Sequence, residues 1–508
     1  MATRWWREVP PGLLAGATAG LLLTILLTWL RVAAGIPLLV EVISDRALPL
    51  VPVDRFLQLI GAFGGPQTAK QTAFFSGFLG QVGAGAVIGA AYAVLRGRRG
   101  GLVAVLALLA ALVVIVAATA VPLGPTLAGG FTGLPPDRAL AVSLLGTSSA
   151  YCAYAVALVV LERALRPRGS VAPVDAGRRS VLVGGLAIVL GVASGFEVES
   201  LFRRFAFYDG RTLAGAVQPV TPNDRFYIVT KNLVDPDVVE SMWRLRVSGL
   251  VQNPFELTLA ELARLPWVDQ ETTLECISNG VGYGLLSNAV WRGVPMRFLV
   301  ERARPTGGAR WINLRAVDDY AHSLAMERAI RPSSLVAYQM NGRSLPRLHG
   351  FPARAIVPGT YGEVSVKWLT ELEVTAQRVP GYYETQGWQP DFVHTTARID
   401  EPASGVRFSL ASGGTVTVRG TAFAGDRGVA SVELSWDQEH WKPAQIYYGG
   451  GAYGWALWSF AWRPPAPGRY TLRARAADNE GKLQEATPHG FAPAGATGYH
   501  TIPVTIVS

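Results

Sequence analysis

Residues 272–280 read Thr272-Thr273-Leu274-Glu275-Cys276-Ile277-Ser278-Asn279-Gly280. The β-like run before the cysteine favours a strand, and Ser-Asn-Gly closes it with a turn, so the thiol is expected at a strand end. The one other cysteine is Cys152. Two cysteines cannot build a disulfide framework or a paired CxxC zinc site. A cysteine taken alone is most often a small buried hydrophobe. At a strand end, its thiolate is also placed to act as a nucleophile or a soft metal ligand. No neighbouring His/Asp pair suggests a cysteine-protease arrangement.

Downstream, His349-Gly350-Phe351-Pro352-Ala353-Arg354 is followed by Val357-Pro358-Gly359-Thr360-Tyr361-Gly362 and Ser365-Val366-Lys367-Trp368. Histidine, arginine and lysine beside open glycine backbone suit a phosphate or pyrophosphate. A solvated basic loop has the same composition. The surroundings read as mixed α/β: strands over Trp243–Val247, Ala353–Pro358 and Trp368–Thr375, with helices over Leu259–Leu265, capped by Thr258, and Met296–Arg302. From about residue 398 the strands are short and turn-punctuated: Thr415–Arg419, Ser431–Trp436, Tyr470–Ala476 and Ile502–Val507. That pattern predicts an antiparallel β-sandwich. Its tryptophans, Trp436, Trp441, Trp455, Trp458 and Trp462, suit strand-face packing, and also a cover over a cofactor entrance or a subunit interface.

The N-terminal 197 residues are of another kind. The chain of 508 residues is 50% hydrophobic and 16% charged, with a mean hydropathy of +0.25. A soluble chain averages about 25% charged residues, so part of this one belongs in a bilayer, and disorder is excluded for most of it. Uncharged stretches run Pro10–Leu30, Gln71–Leu95, Gly100–Pro136, Ala139–Leu161 and Ser180–Phe196. Each is long enough to cross a hydrocarbon core of about 30 Å. Prolines at 122, 125, 135 and 136 divide the third into a helix near 102–121 and a loop. Five spans are therefore expected.

The net charge of +9 is no nucleic-acid signature, because arginines cluster in alternate loops. Arg4 and Arg7, then Arg96, Arg98 and Arg99, then Arg163, Arg166, Arg168, Arg178 and Arg179 lie on one side. Arg31, Arg46, Arg55 and Lys70, and separately Arg138, lie on the other. The positive-inside rule puts the N-terminus in the cytoplasm and everything after about residue 197 outside, in the periplasm or beyond the cell. Arg178-Arg179-Ser180-Val181-Leu182 resembles a twin-arginine signal, the kind that exports folded, cofactor-loaded domains. Two anchoring arginines are the plainer reading of the same residues. All six histidines lie at or beyond His322, so the bundle offers no histidine pair for a membrane haem. Its spans also lack acidic residues, which disfavours a carboxylate ion path and a transporter role. The helices read as an anchor or assembly surface.

Several motifs occur in order: Leu274-Glu275-Cys276-x-Ser278-Asn279, Trp291-x-Gly293-Val294-Pro295, Ala337-Tyr338-x-Met340-Asn341-Gly342, His349-Gly350-Phe351-Pro352-x-Arg354 and Lys367-Trp368-Leu369. Together they resemble the sulfite oxidase family of molybdopterin enzymes, over roughly residues 218–395. The sandwich after them resembles that family's C-terminal immunoglobulin-like domain. The apolar stretches give a transmembrane anchor over 1–197, and the resemblance implies an α+β molybdopterin-binding domain over 198–395 and an immunoglobulin-like β-sandwich over 396–508. It implies that Cys276 ligates molybdenum. It also implies that His349, Arg354 and Lys367 hold the pterin and its phosphate, with Ser365 and Val366 offering backbone and Asp318 a pterin contact. Asn223, Tyr227 and Asn232 match the family's first cofactor strand.

The departures bear on substrate. Sulfite oxidases commonly run Cys-x-x-Asn-Arg-Arg, and here Gly280-Val281 stand in place of the arginines. The family's Arg-Asn-His is matched by Lys231-Asn232-Leu233, which leaves Lys231 as one substrate cation. The metal-facing tyrosine aligns with Trp388. Each lost cation removes charge-assisted hydrogen bonds of about 1.5–3 kcal/mol, so a neutral small substrate, such as a sulfoxide, fits better than sulfite. No haem or iron–sulfur ligand set is present, so electrons pass to or from a separate cytochrome or quinone-linked partner. In the family the sandwich often forms a homodimer interface. A non-catalytic anchored binding or assembly module is the alternative, and retention of Cys276, His349, Arg354 and Lys367 argues against it.

Overall fold

The computed structural model describes residues 8–129, 136–166, 173–205, 217–390, 392–409, 414–437 and 439–507. The expected apolar stretches form long helices, and the third continues through Pro122 and Pro125 to Gly129 instead of giving way to a loop near residue 121. α1 (Val9–Ala34) is followed by two short helices, α2 (Leu39–Ala47) and α3 (Val53–Ala62), then α4 (Pro66–Arg99), α5 (Gly101–Gly129), α6 (Pro136–Leu165) and α7 (Pro173–Phe205). Among the described residues four helices are long and apolar enough to cross a membrane: Val9–Ala34, Pro66–Arg99, Leu140–Leu165 and Val181–Leu201. Gly101–Ala117, within the expected third span, is apolar but shorter. Arg4, Arg7 and Arg168 of the charge pattern lie outside the described residues.

α1 packs against α4, α6 and α7. The α1–α4 seam is a small-residue contact: a Cβ on Gly16 would strike the Gly85 carbonyl oxygen, and one on Gly89 the Gly12 carbonyl oxygen. Helices in lipid gain little from burying apolar surface, so close backbone approach is what brings such pairs together. A partly buried ion pair, Arg96 with Glu162, joins α4 to α6.

The α/β region is built on two sheets. β1 (Leu245–Gly249) and β2 (Phe255–Leu257) precede α8 (Leu259–Leu262), which Thr258 and Glu261 cap reciprocally. α8 is shorter than its expected span. β3 (Val268–Glu275) and β4 (Leu286–Pro295) form a hairpin, followed by α9 (Met296–Ala303), β5 (Trp311–Ala316), β6 (Ala321–Ala325), α10 (Met326–Ala329), β7 (Leu335–Met340), β8 (Arg343–Ser344), β9 (Arg354–Ile356) and β10 (Leu369–Thr375). One sheet has the order β2-β1-β10-β5-β6, with β1 and β10 parallel. The other runs β3-β4-β7-β8, with β9 also paired to β7. Trp243, Leu245, Val294, Leu314, Val366 and Trp368 share the main core of this region.

The remaining strands are β11 (Thr396–Glu401), β12 (Arg407–Ser409), β13 (Val416–Phe423), β14 (Val429–Ser435), β15 (Lys442–Pro443), β16 (Gln445–Gly449), β17 (Ala456–Trp462), β18 (Gly468–Asp478) and β19 (His500–Val507). They form two sheets, β11-β13-β17-β16 and β12-β19-β18-β14-β15, whose inner faces bury Trp458, Trp462, Leu434 and Leu472. Trp455 instead faces the α/β region. Its Nε1 donates to the Pro219 carbonyl at 2.9 Å, and its backbone N–H to Thr273 Oγ1 at 2.9 Å.

Candidate active site

Cys276 is the first residue after β3, in the turn that leads to β4. That turn is tied from within. Asn279 Nδ2 donates to Glu275 Oε1 at 2.8 Å, Asn279 Oδ1 accepts from the Leu285 N–H at 2.9 Å, and the Cys276 N–H donates to the Leu285 carbonyl at 3.0 Å. The β-hairpin therefore places the sulfur, and the asparagine side chain sets the turn. Cys276 Sγ lies 3.1 Å from Ser278 Oγ. Burial pushes the thiol up to about 11, so at neutral pH it stays protonated unless a cation binds it and displaces the proton. Glu275 and Glu363, both electrostatic neighbours of the thiol, are pushed up by burial to about 7 and about 8. Among the described residues neither carboxylate oxygen of Glu363 has a hydrogen-bond partner.

The basic motif folds back on this strand end. Residues 347–349 form one 3-10 turn ending at Gly350, whose φ of +112° is open to glycine. A Cβ there would lie 3.0 Å from Lys367 Cα, so this close approach brings the histidine turn and Lys367 together. His349 is buried, and Nε2 is 2.8 Å from the Asn223 carbonyl oxygen. A carbonyl only accepts, so Nε2 carries the proton. Burial lowers the imidazole to about 3, so the ring is neutral and its Nδ1 is an acceptor. Asn223 is fixed in turn by Asn341, whose Nδ2 donates to its Oδ1 at 2.7 Å.

Arg354 is buried beneath the turn. Its Nε and Nη2 donate to the Ser365 carbonyl at 3.2 and 3.1 Å, and its Nη1 to the His349 carbonyl at 3.2 Å. Lys367 Nζ donates to the Leu348 carbonyl at 3.2 Å. Burial lowers these two cations to about 10 and about 8. Ser365 Oγ accepts from the Val357 N–H at 3.3 Å, and Val366 receives the Ala355 N–H at 2.8 Å. Tyr227 joins the two halves, because Cys276 and Arg354 are both among its electrostatic neighbours. The Gly362 N–H, on the loop before Ser365, donates to the Glu275 carbonyl at 2.7 Å. The fold thus brings Cys276, Tyr227, Asn223, His349, Arg354, Ser365, Val366 and Lys367 together.

Asn232 and Asp318 form a second group, with Asn232 Nδ2 donating to Asp318 Oδ2 at 2.7 Å. Lys231 pairs with Asp45 of α2 and sits 5.4 Å over the Tyr382 ring. Burial opposes its charge, but Asp318 and Asp45 outweigh that and hold Lys231 above the usual lysine value. Trp388 stacks on Phe491 with ring centroids 6.3 Å apart, in the apolar cluster that contains Ile277.

Two contributions are not readable from the motifs. Asp45 neutralises Lys231 from between the first two apolar stretches, and Lys70 reaches the backbone beside it. Sequence spacing carries no signal for either. Glu363 was within the quoted motif region, but only its burial sets it apart.

A family model described as the oxidoreductase molybdopterin binding domain matches residues 232–383, and one described as a bacterial Ig domain matches 396–474. The chain is 30% identical to a sulfite oxidase of Arabidopsis thaliana over 267 residues, 43% of this chain and 67% of that protein. It is 31% identical to the Gallus gallus sulfite oxidase over 322 residues, 54% of this chain and 69% of that one. A putative protein-methionine-sulfoxide reductase subunit of Azospira oryzae is 29% identical over 247 residues, 45% of this chain and 92% of that protein. Among solved structures, the sulfane dehydrogenase SoxCD of Paracoccus pantotrophus shares the fold, with a TM-score of 0.50 and 22% identity over 56% of this chain and 81% of that one.

Proposed function

Because the chain belongs to the sulfite oxidase family of molybdopterin-dependent oxidoreductases, we propose that it is a membrane-anchored molybdenum-pterin enzyme exchanging an oxygen atom and two electrons with a small substrate. One arrangement carries the reading. Arg354 and Lys367 donate to backbone carbonyls and, among the described residues, bond no carboxylate, on the site that also holds Cys276. A carbonyl solvates a cation without neutralising it, so these residues fit an anionic group bound beside the thiol. Cys276 would ligate the metal, and Arg354, Lys367 and the neutral His349 would hold the pterin and its phosphate. Asn223, Tyr227, Asn232, Asp318, Ser365 and Val366 would border it. The bound group supplies the two-electron chemistry and the oxygen transfer. The chain supplies the soft ligand, the charge that anchors the phosphate and the packed cover that limits water.

We assign a neutral substrate, with sulfoxides the first class to test. Gly280-Val281 replace two cations, and Lys231 is already paired with Asp45. The Azospira relative's name, a methionine-sulfoxide reductase subunit, points the same way. The boundaries proposed are 1–197, 198–395 and 396–508, with five spans, a cytoplasmic N-terminus and the catalytic domain outside. Arg178 and Arg179, within α7, serve as the export signal. Electrons are exchanged with a separate cytochrome or quinone-linked partner, and the sandwich supplies any homodimer contact.

The test is molybdenum and oxidised-pterin content of the detergent-purified chain, co-expressed with an active molybdopterin pathway, beside Cys276→Ser. Metal and pterin near one per chain, with turnover lost in the variant, are expected. Sulfoxides are expected to turn over faster than sulfite. A chain with neither metal nor pterin would leave the anchored binding module as the function.

A further inference from the structure

We propose that the membrane bundle builds part of the cofactor site: Lys70 of α4 is a binding residue for the anionic group beside Lys367 and Arg354, and with Arg31 of α1 it holds the segment that borders it. The inference rests on the molybdenum-pterin reading above.

Residues 230–235 belong to no strand, so their carbonyls must find donors elsewhere. Four of them find cations of the bundle. Lys70 Nζ donates to the carbonyls of Thr230 and Asn232 at 2.9 and 2.7 Å, and Arg31 Nη2 to those of Val234 and Asp235, both at 3.2 Å. Arg31 lies in the last turn of α1 and is 1% exposed, and its Nε pairs with Glu41 of α2 at 3.1 Å. Lys70 lies near the start of α4, one residue before the apolar stretch Gln71–Leu95. The end of α1 and the start of α4 thus hold successive carbonyls of one irregular segment. That segment carries Asn232, which holds Asp318, and Lys231, which Asp45 holds.

Charge adds a second, independent argument. Lys70 is in electrostatic reach of Lys367, and Lys367 of Arg354. Among the described residues each of the three bonds only backbone carbonyls. Two carboxylates are in reach of Lys367, Asp235 and Asp318, and Asp235 is in reach of Lys70 as well; the neutral groups of Thr230 and Asn232 hydrogen-bond them without cancelling their charge. Three cations against two carboxylates leave a net positive charge, and none of the three is hydrogen-bonded to a carboxylate among the described residues, which suits an added anion such as a phosphate. Of Lys70's three ammonium protons two are used by the segment, which leaves one for that anion.

The experiment uses the full chain in detergent, expressed with an active molybdopterin pathway, as wild type, Lys70→Met, Lys70→Arg and, as control, the exposed cation change Arg55→Gln. Molybdenum and pterin per chain are measured together with amide hydrogen exchange over residues 228–236. Lys70→Met should retain at least tenfold less cofactor and exchange faster over 230–235. Lys70→Arg should restore retention, and Arg55→Gln should match wild type. Lys70→Gln replaces the methionine variant if that one does not insert. Wild-type retention and exchange in the charge-removing variant would overturn the proposal. A wild-type chain without metal or pterin would instead remove the enzyme reading, and the exchange rates would still decide whether the bundle holds the segment.

Discussion

Arg31→Met tests how the N-terminal bundle and the α/β region are joined. Arg31 and Glu41 are both nearly inaccessible, with side chains 1% and 4% exposed. Removing one partner of a buried pair costs about 3–5 kcal/mol, because the other charge stays buried and uncompensated. The carbonyls of Val234 and Asp235 lose a charged donor as well. Glu41 keeps the Leu38 N–H at 2.7 Å, so the loss belongs near the lower end, about 3 kcal/mol. At roughly 2–4 °C per kcal/mol for a domain of this size, melting should fall by about 6–12 °C. The double variant Arg31→Met/Glu41→Leu removes both charges, and should recover about 2 kcal/mol of that loss. The assay is thermal melting of wild type, the single variants Arg31→Met and Glu41→Leu, and the double variant in one detergent, followed by tryptophan fluorescence. Additive shifts, or an Arg31→Met chain that melts with wild type, would refute the pair as the joint.

Other positions give independent tests. Glu363 releases its proton near 8 in the folded chain and near 4.5 when exposed, so the folded state holds an extra proton between those values. Its contribution is fully present below 4.5 and lost as pH rises through 8. Relative to Glu363→Gln, wild type should therefore weaken over that window by up to roughly 4–5 kcal/mol, and parallel melting-versus-pH curves would count against it. Gly350→Ala places a Cβ 3.0 Å from Lys367 Cα at a φ of +112°, and should cost about 1–3 kcal/mol, read as a lower melting temperature with reduced pterin retention. Tyr448 donates to both Glu271 oxygens at 2.8 Å across the joint between the α/β region and the sandwich. Tyr448→Phe should cost about 1–2 kcal/mol and raise protease sensitivity there, whereas an unchanged digestion pattern would remove the contact from the joint.

The strand end at Cys276 was legible because its cause is local: a β-like run stops before Ser-Asn-Gly, and β3 ends at Glu275. The apolar stretches were legible for the same reason, since a bilayer demands some twenty apolar residues in a row. Five were expected and four meet that demand among the described residues. The short α2 and α3 between the first two stretches were not foreseen. They are amphipathic pieces whose stability comes from what they pack on, which local sequence does not state.

Trp388 illustrates the limit at the site. The family resemblance implies a metal-facing place for it, and the structure adds a contact that the motifs do not contain, the stacking of its ring on Phe491 from the far end of the chain. Lys231 illustrates it again. As a residue it is one free cation, and in the fold it belongs to Asp45, 186 positions away.

The sequence by itself determined the chemical inventory, the order of the family motifs, the apolar anchor and the β-sandwich, because each follows from neighbours in the chain. Tertiary structure alone decided which cations pair with carboxylates, which carboxyls are buried, and that Lys70 and Arg31 of the N-terminal helices hold residues 230–235. Those outcomes depend on burial and on distances between residues far apart in sequence, and electrostatic energy follows separation in space and local dielectric, not separation along the chain.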